Sequence, residues 1–432
     1  MMTNSYKRPQ NGRDKLDRLT DLPINVIHQI QEYMTIEDAA RMSVLSSKWR
    51  HVWASNPKLR ISTDFYRKEK QSSTTDIINR ILLHHYGPIK TFLLDLSIIN
   101  PSNHSVIDLW MLHLSRNGLV DLTLMNPRNL NAPYKLPSYV YGMELEQLSL
   151  SSCIFRPPCS FGGFHKLKSL EFVGVTFELD VATSFLSVPN LLDLMFMQCS
   201  GLHHLNIYAP ELLSLKFSHC GIDTIKWISF KDCRKVKFFA VIPQQEVSQN
   251  RQHEAMELVK LLSSLPEIGA LILDGCSLKF LAYGNLERRL STMLNYLVNL
   301  EFYDFDFNDE DQICSLLCIL RSSPNLKLLN LLLSRIKKGS REVDVNLLKV
   351  QGCRIDELNK LQALKIHRFH GSRVELLFVR LVLASAPILK KMIINVDEEV
   401  SERHATKISK IIGVCTYSQP ALTQVICQRH QC

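Results

Sequence analysis

The 432-residue chain lacks any long apolar run. No stretch approaches the roughly 18 consecutive apolar residues that a membrane-spanning helix needs, so no membrane partner is expected. Its opening, MMTNSYKRPQNGRDKLDR, is polar and basic and has no apolar core of the kind a secretory signal carries. A cytoplasmic or nuclear protein, or one in both places, is expected. C-x-x-C pairs are absent too, although 12 cysteines are present. That removes zinc-ribbon and thioredoxin-like readings and leaves reduced, intracellular thiols. Cys314 and Cys318 stand four apart with no second ligand pair beside them.

Catalytic signatures are missing as well. There is no GxxxxGK[ST] phosphate loop, no GxSxG elbow and no HExxH pair. The segment QHEAME around His253 has no second histidine. The adjacent pairs His84–His85 and His203–His204 would point apart on a strand. No cysteine sits in an obviously electropositive setting, which argues against a thioester-forming ligase. No enzymatic activity is expected, and no catalytic residue, cofactor or metal is assigned. The net charge of +9 is mild for 49.6 kDa and spread along the chain. It permits weak attraction to polyanions without demanding it.

Tryptophan is scarce, with 4 residues in all, yet two of them fall in VLSSKWRHVW, residues 44–53. Aromatic and basic residues interleave here, as they do where bases stack and cations meet phosphates. The surrounding pattern gives another reading. Asp21 and Pro23 suit the cap and first turn of a helix. Val26, Ile27, Ile30, Tyr33 and Met34 follow at helical spacing and make one apolar face. Thr35 to Asp38 is a capping signature before a second helix. Leu45, Trp49, Val52 and Trp53 give a third helix one apolar face, which Asn56–Pro57 ends. Both tryptophans are thereby expected in the core of a three-helix module.

That module resembles an F-box. The resemblance rests on Asp21, Leu22 and Pro23, the apolar run from Val26 to Met34, Asp38 and Ala39, and the plant-type ending SVLSSKWRHVW. It implies docking onto a Skp-type adaptor and, through it, a cullin ubiquitin ligase, with Leu22, Pro23, Val26, Ile27 and Ile30 as adaptor contacts. Asn25 stands where the family usually has an acid, Gln31 where an apolar residue is common, and Thr35 where proline is frequent.

Beyond about residue 90 the chain repeats itself. LEQLSLSSCIF, LKSLEFVGVTF, LLDLMFMQCSGL and LLSLKFSHCGI share one pattern, with central leucines Leu148, Leu170, Leu194 and Leu215 spaced by 22, 24 and 21 residues. That is the period of leucine-rich repeats. Weaker copies continue through LVNLEFYDFDF and LQALKIHRFHG at wider spacing, which implies helices or loop insertions on the convex side. Residues 251–265 read as one such helix. Cys153, Cys199, Cys220 and Cys276 each fall five residues after a central apolar position, where Val175, Phe305 and Phe369 stand in other copies. The slot explains those cysteines as inward-turned and inert. Residues 361–399 then pass from a repeat strand into a helix and a final strand. Through HRFHG, Glu375, FVRLVL and APILKKMII this segment resembles the FBD domain of plant F-box/leucine-rich-repeat proteins.

The expected fold is therefore α/β. A three-helix F-box is followed by a leucine-rich-repeat solenoid with a parallel sheet on its concave side, helices and loops on its convex side, and an FBD-type cap. The expected divisions are a disordered arm (1–13), the F-box (14–60), the solenoid (61–354), the cap (355–405) and a tail (406–432). The resemblance implies a substrate receptor of a Skp–cullin–F-box ligase that captures an unknown protein target. The alternative is a non-ligase interaction scaffold on the same repeats. Nucleic acid is not an expected partner, because no basic stripe falls on one repeat face. Strand positions flanking the central leucines are the target-binding candidates, foremost Asp193, Met195, Met197, Lys216, Glu301 and Tyr303. Gln147, Ser149, Glu171, Asp274 and Lys365 share that pattern.

Overall fold

The computed structural model describes residues 19, 22–63, 74–126, 133–179, 185–202, 205–220, 228–243, 252–283, 290, 292–335, 358–417, 421–422 and 424–429. The expected arm 1–13, the capping residue Asp21 and the His203–His204 pair lie outside them. The chain divides into two compact units, Met1–Leu119 and Val120–Cys432.

In the first unit three short helices come first: α1 (Ile24–Glu32), α2 (Ile36–Met42) and α3 (Ser47–Ala54). Capping sets their starts. The Thr35 hydroxyl accepts from the Asp38 N–H at 3.2 Å, and the Ser46 hydroxyl accepts from the Trp49 N–H at 3.3 Å. Each satisfies a donor that the first turn leaves free. Ile27, Trp49 and Val52 form the core of this module, with Leu22, Ile30 and Met42 packed against it. The indole N–H of Trp49 donates to the Leu19 carbonyl at 3.3 Å. Of the two tryptophans expected in the core only Trp49 is there; Trp53 is half-buried and outside it. Two further expectations fail. Tyr33 is 93% exposed and Leu45 is 55% exposed, because α1 ends at Glu32 and Leu45 sits in the turn before α3, off both helical faces. The unit continues with the strand Lys58–Ile61, the helix Thr74–His84, the strand Thr91–Asp95 and the helix His104–Ser115. The two strands pair in parallel. The Trp110 indole N–H donates to Asn79 Oδ1 at 2.7 Å and ties the two helices together.

The second unit is a parallel sheet whose main strands follow chain order from Asp121–Met125 to Gln424–Arg429. Register places the central apolar residues in one ladder. Leu122, Leu148, Leu170, Leu194 and Leu215 are successive partners, followed by Phe239, Leu271, Leu300, Leu329, Leu364 and Met392. All are buried. Burial of each such side chain is worth about 1.5–3 kcal/mol, and only the neighbouring strand can supply it. A second inward row stacks aromatics: Phe172 on Phe196 at 5.6 Å and Phe196 on Phe217 at 5.4 Å.

Six of the main strands turn through a left-handed residue at or near their ends. Ser152, Gln198, His219, Asp304 and Arg368 have φ between 51° and 58°, and Gly174 has φ 61°. The turn swings the next side chain inward, which is why Cys153, Val175, Cys199, Cys220, Phe305 and Phe369 are buried. Cys276 departs from this slot. It lies on the helix Gly275–Tyr283, half-buried, because the Ala270–Asp274 strand runs directly into that helix.

Repeat length decides what lies opposite the main sheet. The short early repeats return through strands, not helices, in two small parallel sheets: Tyr134–Lys135, Cys153–Phe155 and Thr176–Phe177, then Phe185–Ser187, Leu205–Tyr208 and Ile228–Lys231. The longer repeats return through the helices Gln252–Ser263, Glu310–Arg321, Arg373–Ser385 and Glu402–Thr416. The strand Lys391–Val396 is not the last, since Gln424–Arg429 pairs beyond it in parallel. Residues expected as a tail therefore hold most of one helix and the sheet's edge strand. Their sequence lacks the leucine spacing that would have marked them as a repeat.

Candidate interaction surfaces

The F-box-like helices present a mixed surface. Pro23 is exposed, and Leu22, Val26 and Ile30 are half-buried. Val26 and Ile30 stand four residues apart and so share one side of α1. Ile27 is the exception among the expected adaptor contacts. It is fully buried against Trp49 and Val52 and offers no surface to a partner. It follows Val26 directly, about 100° further round α1, on the side that packs against Trp49 and Val52.

Gln31 lies four residues beyond Ile27, on the same buried line. It is 3% exposed, and neither its amide nitrogen nor its amide oxygen has a hydrogen-bond partner. Such a group costs on the order of 1–3 kcal/mol relative to an apolar residue of its size. The departure noted in the sequence thus falls inside the module rather than on its docking side.

On the second unit, residues that alternate with the inward ladder make the open face of the sheet. The structure brings four of the expected target-binding residues together on two adjacent strands. Met195 pairs in register with Lys216. Met197 stands two residues on and pairs with Ser218, while Asp193 stands two residues before and pairs with Ser214. Asp193 is exposed; Met195, Met197 and Lys216 are half-buried. The Lys216 ammonium lies 5.4 Å from the centre of the Phe238 ring, a cation–π distance.

Glu301 and Tyr303 are separated from that cluster by the strands Phe238–Ile242 and Ala270–Asp274. The Tyr303 hydroxyl donates to Glu301 Oε2 at 3.2 Å. Burial first, then the Glu301 carboxylate, raises the Tyr303 phenol above its ordinary pKa, so it remains a donor. One row of the open face runs Ser149, Glu171, Met195, Lys216, Ala240, Ile272, Glu301, Asn330 and Lys365. The Ser149 hydroxyl donates to Glu171 Oε2 at 3.2 Å. Asn330 keeps a buried amide oxygen with no partner.

Phe238, Ile272 and Asn330 were not among the expected face residues. Taking the residue immediately to either side of each central apolar position would have found them. Asp274 must be removed from the set. It is 4% exposed and accepts from the Ser277 N–H at 2.8 Å, capping the helix that follows. Burial first, opposed by the Ser277 bonds, pushes its carboxyl up to about 6.

Burial keeps most of the buried thiols protonated, in the repeat slot or outside it; Cys220 is the exception, lowered first by its bond with Cys199 against the effect of burial. Burial pushes Cys153 up to about 12, Cys233 to about 11 and Cys318 to about 11. Cys153 and Cys199 also donate to backbone carbonyls at 3.3 and 3.4 Å. These groups are structural. Among the described residues no group of three or more His, Cys, Asp or Glu side chains is placed to hold a metal ion. No described helix is long and apolar enough to cross a membrane.

The stacked parallel strands and the preceding three-helix module define the class: a leucine-rich-repeat protein carrying an F-box. An F-box domain model matches residues 19–61, and the At1g61320/AtMIF1 LRR domain model matches residues 81–425. The chain belongs to the F-box/LRR family. F-box/FBD/LRR-repeat protein At1g13570 of Arabidopsis thaliana is 30% identical over 409 residues, 93% of this chain and 95% of that protein. F-box/FBD/LRR-repeat protein At1g78750 of the same plant is 23% identical over 461 residues, covering 93% and 94%. F-box protein At3g59000 is 22% identical over 446 residues, covering 89% and 87%. Neither domain model that matches is enzymatic.

Proposed function

We propose that this chain is the substrate-recognition subunit of a Skp–cullin–F-box ubiquitin ligase, acting in the cytoplasm or nucleus. The observation that carries the reading is the union, in one chain, of an F-box match at residues 19–61 with a repeat sheet whose open face bears apolar and charged side chains in register. The chain performs no covalent step itself. The F-box holds a Skp-type adaptor and, through it, a cullin, while the open face holds a protein target. Catalysis then follows from proximity: both partners share one scaffold, so a target lysine meets the charged conjugating enzyme at high effective concentration.

Leu22, Pro23, Val26 and Ile30 are the adaptor contacts in this scheme, with Ile27 behind them as core. Asp193, Met195, Met197, Lys216, Glu301 and Tyr303 contact the target. Met195, Met197 and Tyr303 are the large, half-buried groups of the kind that anchor interfaces.

The test is co-expression with a Skp-type adaptor and measurement of co-purification. The wild-type chain should retain the adaptor, and Leu22→Ala/Pro23→Ala should lose it while keeping the circular dichroism of the folded chain. A wild-type chain that folds yet retains no adaptor sinks the reading. The non-ligase scaffold then takes its place, with repeat-dependent partners whose lifetimes do not change on removal of the protein.

A further inference from the structure

The first unit contains a cleft of about 1010 Å³ that the adaptor contacts named above do not line. It lies among α2, α3 and the helix Thr74–His84. Ile36, Trp53, Ile77 and Ile81 supply apolar walls. Arg41, Arg50 and Arg80 stand around them, and Glu37 is the single carboxylate among the described residues lining the cleft.

The cationic groups differ in how they are engaged. Arg41 pairs with Asp38 at 3.3 Å, outside the cleft lining. The three lining histidines have partners: His51 meets the Tyr86 hydroxyl, His84 Nδ1 lies 2.8 Å from the Arg80 carbonyl, and His85 Nε2 lies 2.8 Å from the Asn56 carbonyl. Among the described residues Arg50 and Arg80 have neither a carboxylate nor any other side-chain hydrogen-bond partner. Two guanidinium groups without side-chain partners line a mostly apolar hollow at the upper end of the size range for small-molecule sites. Arginine favours planar or tetrahedral oxyanions over a point acceptor.

We infer that this cleft binds a small amphiphilic acid. Arg50 and Arg80 supply the counter-charge to its carboxylate or phosphate head, and Ile36, Trp53, Ile77 and Ile81 enclose its apolar body. The inference is independent of adaptor docking and of target capture.

Calorimetric titration of the full chain with four probes tests it: octanoate, octyl phosphate, octanol and acetate. Saturable binding of octanoate or octyl phosphate is expected, and the tighter of the two identifies the head group. Octanol and acetate should bind at least about tenfold more weakly, since each lacks one half of the recognition. Arg50→Gln/Arg80→Gln should weaken the acid by about ten- to a hundredfold, the range of a charge-assisted bond pair. Both residues are exposed, so the variant should unfold at the wild-type temperature. Arg50→Lys/Arg80→Lys should recover part of the affinity. Arg116→Gln, at the end of the His104–Ser115 helix, should change nothing. The inference is overturned if neither acid binds saturably, if octanol binds as tightly as octanoate, or if the double glutamine variant binds like wild type.

Discussion

Removing the carboxylate of Glu375 tests the FBD-like segment at its most constrained point. Glu375 is 5% exposed. Its Oε2 accepts from three consecutive backbone N–H groups: His370 at 2.9 Å, Gly371 at 2.7 Å and Ser372 at 3.3 Å. In return the Ser372 hydroxyl accepts from the Glu375 N–H at 3.3 Å, closing a capping box on the helix Arg373–Ser385. One charge-assisted bond of this kind is worth about 1.5–3 kcal/mol, and three that share one oxygen do not add. Glu375→Ala leaves all three donors of a half-buried turn without that acceptor, a cost of about 2–4 kcal/mol. Glu375→Gln keeps an acceptor oxygen and loses the charge, a cost of about 1–3 kcal/mol. Long repeat arrays need not unfold in one step, so the measurement is native-state hydrogen exchange of the helix Arg373–Ser385 alongside urea denaturation. If Glu375→Ala changes neither by more than about 1 kcal/mol, the cap is not what holds this turn.

The same carboxylate sets a pH dependence. His370 Nδ1 lies 3.5 Å from Glu375 Oε1, and its Nε2 lies 3.8 Å from Asp397 Oδ2. Burial alone would lower the imidazole pKa, but the bond and charge of Glu375, then the charges of Asp397 and Glu399, raise it above its ordinary value. A histidine whose folded pKa is raised contributes stability that is complete below its unfolded value, about 6.5, and lost as pH rises through the folded value. Wild-type stability should carry a decline across that window that His370→Gln lacks. Nuclear magnetic resonance titration should show the His370 pKa falling in Glu375→Gln.

Three further changes probe other elements. Trp49→Ala removes the largest fully buried side chain of the F-box and its bond to Leu19, and should cost about 3–5 kcal/mol. Exchange protection across α1–α3 should collapse while the second unit keeps its own. Gln31→Leu replaces an unsatisfied buried amide with an apolar group of similar size, and should stabilise the F-box by about 1–3 kcal/mol in the same exchange measurement. Asp274→Asn keeps the cap on the Ser277 N–H while removing a charge that the folded state disfavours. Because the folded pKa is raised to about 6, wild-type stability falls as pH climbs from the unfolded value to the folded one. The asparagine variant should be more stable by about 1–3 kcal/mol at pH near 7.5, and the difference should vanish near pH 3.5.

The inward ladder was legible because leucine at a period of 21 to 24 residues has one cheap explanation, a stacked strand whose edge its neighbour must bury. The Arg373–Ser385 helix was legible from the spacing of Val374, Phe378 and Val382. Features that depend on backbone dihedrals were not. Ser152, Gln198 and His219 all adopt the left-handed turn, and nothing in serine, glutamine or histidine announces it. The early crossover strands were missed because segments of two to four residues, such as Tyr134–Lys135 and Leu205–Tyr208, carry no measurable period. On α1 the apolar pattern could not separate Ile27 from Tyr33, since the helix ends before Tyr33 and leaves it 93% exposed. Asp274 looked like a face residue by alternation alone; the helix that starts immediately after it turned it into a cap.

Because the ladder fixes the inward positions, the open face is free to vary without harm to the fold. It also sets how a target would be held. Parallel strands stand about 4.8 Å apart, so Met195 and Glu301, four strands apart in register, are separated by roughly 19 Å. Contacts that far apart act independently, and their losses should add within about 0.5 kcal/mol. Met195 and Lys216 are direct neighbours in register, so their losses should not. Once a target is in hand, a double-mutant cycle with Met195→Ala/Glu301→Ala against Met195→Ala/Lys216→Ala separates a partner laid across the strands from one bound at a single end. Coupling in the second cycle but not the first is expected of capture along the sheet. A null effect of Glu301→Ala, with Met195→Ala and Lys216→Ala both costly, would confine the target to the two strands that carry Asp193, Met195, Met197 and Lys216.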